Sequence, residues 1–293
     1  MITVQSCPIC GEKSFSKVYK APYFRGDHEQ FQIVECQSCK LWLTSPRPAD
    51  DELAPYYETG EYISHNNKKE GLIDWLYHLV RSYSLGKKLG LINKLNLSKG
   101  TLLDYGAGTG HFLKAARENG WQVEGVEPSA EARQVATIEN DLLLADPDHF
   151  QWTGAYQAIT LWHVLEHLPK LQEHMRNFSA VLAPGGTLVI AVPNHESADS
   201  KFYGASWAAL DVPLHLYHFK KANLRELAEQ HGLHLEEIRN MPFDSFYVSM
   251  LSEKIRSGKS NLPRAFYHGL RSNFKGNRTK NMSSLIYVLR KAQ

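Results

Sequence analysis

Apolar and polar positions change rhythm twice along this chain. From about residue 101, short apolar runs alternate with stretches of helical spacing. Strands are predicted at Leu102-Leu103, Gln122–Val126, Leu142–Asp146, Tyr156–His163, Thr187–Val192, Leu233–Arg239 and Ser284–Leu289. Helices are predicted at His111–Asn119, Ala130–Asn140, Leu171–Leu182, Asn223–Gln230 and Phe243–Arg256. Strand and helix in alternation imply a doubly covered, mainly parallel α/β sheet. Upstream the rhythm differs. Asp50–Tyr57 and Gly71–Lys94 are predicted helices, the second on the repeat of Leu72, Ile73, Leu76, Leu79, Val80 and Tyr83. Before them, Ser14–Lys20 and Phe31–Glu35 suit the two strands of a small ribbon. The expected organisation is a ribbon over residues 1–48, a helical linker or lid over 49–98, and an α/β domain over 99–293.

Chemistry concentrates where the alternation begins. Asp104-Tyr-Gly106-Ala107-Gly108-Thr-Gly110 places three glycines at alternate positions between a strand and a helix. Such a loop turns sharply and lets backbone approach a ligand where side chains would collide. The spacing G-x-G-x-G differs from the G-x-G-x-x-G of pyrophosphate binders. Asp104, two residues before the first glycine, would repel a pyrophosphate and suits a ligand with an ammonium group. Glu127, at the tip of the next strand, suits two ribose hydroxyls, because an ionised carboxylate accepts both. An adenosyl ligand with an ammonium and no phosphate, S-adenosylmethionine, satisfies both residues.

All four cysteines fall in the first 39 residues, as Cys7-Pro-Ile-Cys10 and Cys36-Gln-Ser-Cys39. Two C-x-x-C knuckles in a reducing compartment point to one tetrahedral zinc ion held by four thiolates. With no open position the ion would be structural, and a ribbon this small needs it for stability. Disulfides and a redox pair are the alternatives.

The glycine stretch resembles the first two motifs of the class I methyltransferases. The resemblance implies a Rossmann-like seven-stranded sheet with the last strand inserted antiparallel. It implies cofactor contacts at Asp104, Gly106, Ala107, Gly108, Gly110, Glu127 and Pro128, at Ala145 or Asp146 beside the adenine, and at Trp162 and His163 on the fourth strand's tip. His163-Val-Leu-Glu166-His167-Leu is similar to the "LEH" segment of ubiquinone-biosynthesis O-methyltransferases and of zinc-containing sugar C-methyltransferases. In that light His167 is a base or hydrogen-bond partner facing the acceptor. A metal site on His163, Glu166 and His167 and a helix cap remain open. Pro213-Leu-His215-Leu-Tyr217-His-Phe219 resembles the acceptor-lining "P-x-H-L-x-x-F" segment, with His215 the matching histidine. Leu214 stands where sugar C-methyltransferases have glutamate, which argues against that substrate. Asn194 follows the fifth strand, where such sheets bind ligands. Tyr62, Ser64 and His65 lie in an aromatic stretch that is either a lid over the site or a packed connector.

Composition adds limits rather than leads. A net charge of +2 gives no bulk attraction to nucleic acid or membrane. No apolar run approaches a membrane span, and no signal peptide is evident, so a cytoplasmic protein is expected. A monomer or homodimer acting on a small molecule fits these numbers. Residues 257–280 form a basic run, either a solvated face or a site for an acidic substrate or carrier. Two other functions are alternatives. An NAD(P)-dependent sugar oxidoreductase conflicts with the glycine spacing and Asp104. A non-catalytic zinc-ribbon adaptor would leave Asp104 and Glu127 without purpose.

Overall fold

A computed structural model describes residues 1–26, 29–57, 72–259 and 261–292, with the side chains of the long helix described from residue 83 onward. Tyr62, Ser64 and His65 lie outside the described residues. In chain order the elements are β1 (Phe15–Pro22), β2 (Gln30–Cys36), β3 (Trp42–Thr44), α1 (Ala54–Tyr57), α2 (Leu72–Leu95), β4 (Thr101–Tyr105), α3 (His111–Glu118), β5 (Gln122–Val126), α4 (Ala130–Asn140) and β6 (Tyr156–Trp162). They continue with α5 (Leu171–Val181), β7 (Leu182–Pro193), α6 (Ala198–Tyr203), β8 (Tyr217–His218), α7 (Lys221–Gln230), β9 (Leu233–Met241), α8 (Asp244–Ser257), α9 (Leu262–Thr279) and β10 (Ser284–Lys291).

The larger sheet has the order β5-β4-β6-β7-β10-β9, and β4 pairs in parallel with both β5 and β6. The last strand of the chain is inserted between β7 and β9, as the resemblance implies. Six strands are formed among the described residues. The strand expected over Leu142–Asp146 is reduced to one bridge, Ala145 to Val126. The reason is local: Asp141 is left-handed at φ 51°, Leu143 is exposed to solvent, and Pro147 ends the run. Only the Ala145 amide and carbonyl bond to the neighbouring strand, at Gly125 and Glu127. The basic run turns out to be mostly helix, α9, which its glycines and asparagines concealed.

The smaller sheet, β1-β2-β3-β8, is antiparallel. Its fourth strand comes from far along the chain, with Trp42 opposite His218 and Leu43 opposite Tyr217. The chain divides into two compact units. One comprises Met1–Thr59, His163–Arg176 and Ile190–Val288, so the ribbon groups with later segments instead of standing alone. The other comprises Gly60–Trp162, Asn177–Val189 and Leu289–Gln293.

In the first unit the buried carboxylate of Asp199 holds a knot of three elements. It accepts hydrogen bonds from Trp207 Nε1 (2.9 Å), Ser272 Oγ (2.5 Å) and Ser283 Oγ (2.6 Å). Replacing it by alanine leaves three buried donors without an acceptor, so Asp199→Ala is expected to cost about 3 kcal/mol or more. A urea midpoint close to that of the parent protein would contradict this.

Candidate functional site

In the second unit, Asp104 is the penultimate residue of β4 and is 2% exposed. Its Oδ1 accepts a hydrogen bond from Thr160 Oγ1 at 2.6 Å, in register across β4 and β6. Gly106, Gly108 and Gly110 all have positive φ, 80°, 56° and 79°, which side chains rarely adopt. A Cβ on Gly110 would also come within 2.8 Å of Leu142 Cδ1. The Gly106 and Ala107 amides bond to the Val126 carbonyl, stitching the loop to the tip of β5. Glu127 stands there, with Oε2 accepting from the Gly108 amide (2.8 Å) and Oε1 from the Ser129 amide (3.0 Å).

Both carboxyls are pushed up by burial. Asp104 reaches about 7, against the opposing Thr160 bond and the Lys88 charge; Glu127 is raised in the same direction. Two buried carboxylates with acceptor capacity to spare suit a ligand bearing an ammonium and hydroxyls. Trp162, at the end of β6, lies under the Lys88 ammonium (4.5 Å) and edge-on to Phe112 (5.6 Å). Its buried indole N–H has no hydrogen-bond partner among the described residues. Arg133 was missed by sequence reasoning. It donates to the Glu127 and Pro128 carbonyls and pairs with Asp146 at 2.8 Å, so it sets the β5 tip and the Asp146 carboxylate together. The adjacent Pro128 ring is exposed.

The first unit begins its second segment at His163 and gathers a different cluster. His163 is left-handed (φ 60°) and leads into a 3-10 turn, Leu165–His167. Its Nε2 lies 2.9 Å from Asp244 Oδ2 and its Nδ1 3.4 Å from Glu166 Oε1. Burial opposes its charge, but Asp244 and Glu166 outweigh burial and raise it to about 10, so His163 is a cation at neutral pH. Glu166 is fully buried; the same pairing outweighs the effect of burial and keeps it ionised. The rings of His167 and His215 meet edge to face at 4.5 Å. Burial and mutual repulsion push His167 down to about 4, and burial lowers His215 too, so both are neutral.

Three further residues complete this cluster; the sequence placed Tyr57 in the candidate lid stretch and gave Asp211 and Arg25 no site role. The Tyr57 hydroxyl lies 3.3 Å from His167 Nδ1. Asp211, left-handed at φ 33°, places Oδ2 3.9 Å from His215 Nε2. Arg25, from the ribbon, pairs with that same oxygen at 2.6 Å. A charged pair 186 residues apart carries no local sequence signal. His215 Nδ1 donates to the Ala209 carbonyl at 2.9 Å, which leaves the lone pair of the neutral ring on Nε2. Glu166, His167 and His215 each offer a donor atom within 4.8 Å of the others, a set that could hold a divalent cation.

Two expected acceptor residues are not brought to this cluster by their side chains. Asn194 is buried and bonds to the Met282 carbonyl and Asn281, tying the exit of β7 to the approach to β10. Tyr217 is held in β8 opposite Leu43, against Phe219.

The four cysteines converge. Cys7 and Cys39 Sγ are 3.5 Å apart, as are Cys10 and Cys36, and all four lie within 4.8 Å of one another. These spacings are too long for disulfides. They approach the roughly 3.8 Å that separates ligand sulfurs around a tetrahedral zinc with ~2.3 Å bonds. The knuckles are fastened by side chains of later elements: Gln172 donates to the Pro8 carbonyl, Gln230 to Ile9 and Asn223 to Cys39.

A parallel strand that opens into a glycine loop, closed by a buried carboxylate on the next strand, defines a Rossmann-like α/β protein. More narrowly, the chain belongs to the methyltransferase-domain family, whose model matches residues 77–238, more than half of its length. It is similar to the C-methyltransferase NovU of Streptomyces niveus, at 24% identity over 80% of this chain and 57% of that protein. It is also similar to the ubiquinone biosynthesis O-methyltransferase of Xanthomonas oryzae, at 25% identity over 52% of this chain and 70% of that one. The chain thus spans little more than half the length of the first relative. Among solved structures, the magnesium protoporphyrin IX methyltransferase of Synechocystis with bound S-adenosylhomocysteine superposes with a TM-score of 0.54 at 13% identity. That match covers 83% of this chain and all of the other, and establishes the fold.

Proposed function

We propose that this protein is an S-adenosylmethionine-dependent methyltransferase acting on a hydroxyl or an acidic carbon of a small molecule. The observation that carries the reading is the pair of neutral imidazoles, His167 and His215, set beside the buried carboxylates of Glu166 and Asp211. When bound, S-adenosylmethionine supplies a methyl group already activated by its sulfonium. The residues that would hold it are Asp104, toward the ammonium, and Glu127, toward the ribose. The loop from Gly106 through Ala107, Gly108 and Gly110, together with Pro128, Asp146 and Trp162, would complete the binding surface.

The chain's remaining task is to orient the acceptor and take its proton. His215 Nε2 presents a lone pair whose tautomer the Ala209 carbonyl sets. A proton received there creates an imidazolium facing Asp211 and sensing the charge of Glu166. His167 can act likewise through Nε2 when its Nδ1–H is donated to Tyr57. Leu214 is buried, so no carboxylate precedes His215; Asp211 supplies the nearby one instead. The names of the relatives support a small-molecule acceptor and leave carbon and oxygen methylation both in view. A cytoplasmic setting, with reduced thiols, belongs to the same reading; no helix among the described residues is long and apolar enough to cross a membrane. Calorimetry tests the cofactor: S-adenosylhomocysteine should bind and NAD should not.

The cysteine cluster is proposed to hold a structural zinc ion. Elemental analysis should find one zinc per chain, and Cys36→Ser should lose it and destabilise the protein by several kcal/mol. A second reading assigns a divalent cation to Glu166, His167 and His215, favoured by Glu166 Oε2, buried without a hydrogen-bond partner among the described residues. It requires a second metal that survives Cys36→Ser and is lost in Glu166→Gln.

A further inference from the structure

The charge of this chain is sharply segregated. Its last acidic residue is Glu253; the forty residues that follow contain ten lysines and arginines and no aspartate or glutamate. Since the whole chain carries only +2, the first 253 residues carry a net −8. Helix α9 lies in the middle of the acid-free stretch.

Its faces divide cleanly. The face turned inward is small: Ala265, Gly269, Ser272 and Gly276 are buried, at helical spacing. A Cβ on Gly269 would fall 2.7 Å from the Phe246 ring, so α9 lies close against α8. The large apolar residues point the other way. Leu262, Phe266, Leu270 and Phe274, at every fourth position, are 56%, 58%, 47% and 68% exposed, and Tyr267 beside them is 62% exposed. Next round the helix come Arg271, Lys275 and Arg278, all exposed. Scattered exposed apolar residues need no explanation, but a four-turn stripe of leucine and phenylalanine does.

We propose that α9 is the docking helix by which this protein lies on an anionic lipid bilayer, its stripe entering the headgroup boundary and its cations meeting lipid phosphates. A phenylalanine and leucine stripe flanked by lysine and arginine, with no acid on the helix, is the composition that binds in the plane of such an interface. A second copy of the chain fits worse. A two-fold contact sets a patch against itself, and here it would bring basic stripes together without a compensating acid. Single-stranded nucleic acid also fits worse, since two of the five exposed apolar residues are leucines, which offer bases nothing to stack on. The proposal is independent of the methyl-transfer reading.

The test is co-sedimentation of the full chain with vesicles. The protein should pellet with phosphatidylcholine vesicles containing about 30% phosphatidylglycerol, remain in solution with phosphatidylcholine alone, and be released by salt. Arg271→Gln with Lys275→Gln should weaken partitioning roughly 25-fold, at about five-fold per cation. Phe266→Ser with Phe274→Ser should weaken it roughly 100-fold or more. Both double variants change exposed side chains, and unaltered S-adenosylhomocysteine-independent circular dichroism and melting would show that they remain folded. Any of three results overturns the proposal: no sedimentation with the anionic vesicles, binding to mixed-sequence RNA in their place, or a dimer in sedimentation velocity that Phe266→Ser with Phe274→Ser dissociates.

Discussion

Asp104→Asn is expected to weaken S-adenosylhomocysteine binding by about two orders of magnitude or more, while leaving the ligand-free protein as stable as its parent or more so at pH 8. The loss follows from removing one member of a buried charge pair, which costs about 2–5 kcal/mol. The stability effect follows from linkage. An aspartate in the unfolded chain loses its proton near pH 3.8, whereas burial holds Asp104 protonated up to about 7. Between those values the folded state binds a proton that the unfolded state has released, so this group's contribution falls as pH rises from about 4 to 7 and stays low above. Asparagine keeps an oxygen for the Thr160 hydroxyl and carries no charge to bury. The parent protein therefore holds a destabilising carboxylate whose return comes with a cationic ligand. Ligand affinity should accordingly rise with pH through about 7 and lose most of that dependence in Asp104→Asn. Calorimetry across pH 5.5–8.5, beside melting curves without ligand, reads both effects; a variant that binds normally, or melts far below its parent, would refute the assignment.

The cofactor loop was readable in the sequence because everything it needs is local. Strand, glycines, helix, strand and Glu127 lie within 30 residues, and each glycine marks a positive φ that the structure has. The convergence of the four cysteines is legible for the same reason, as two short C-x-x-C pairs. The acceptor side is not local. Arg25, Tyr57, His167 and the turn carrying Asp211 and His215 come from four separate stretches, brought together by tertiary packing. Periodicity says which residues are buried and nothing about which buried polar groups will meet. His163 illustrates the limit. Its letters fit a metal or cofactor ligand, yet Asp244, 81 positions on, makes it a half-buried, ion-paired cation. The strand expected at Leu142–Asp146 failed for a local reason: an apolar run reads as a strand, but the left-handed Asp141 before it and Pro147 after it leave room for a single bridge.

His215→Ala is expected to lower kcat/KM by about 10²–10⁴ with S-adenosylhomocysteine affinity unchanged, the range for loss of a positioned proton acceptor. His167→Ala should be the milder change if Nε2 of His215 is the base, and the more severe if His167 is. Either outcome keeps the pair in the reaction, and wild-type turnover in both variants would remove it. The pH profile separates these histidines from the cofactor carboxylate. Both imidazoles are depressed by burial, His167 to about 4, so each stays neutral at and below the ordinary histidine value. At saturating cofactor, the acidic limb of kcat should therefore lie below pH 6.5, whereas at low cofactor a limb near 7 should appear from Asp104. Asp211→Asn removes the carboxylate that faces His215 Nε2 and leaves the Arg25 charge in place. It should make His215 harder still to protonate, moving its limb further toward acid and lowering kcat without changing cofactor affinity. A profile that Asp211→Asn leaves unmoved would mean that the ribbon's Arg25–Asp211 pair only braces the fold, and that His215 works without it.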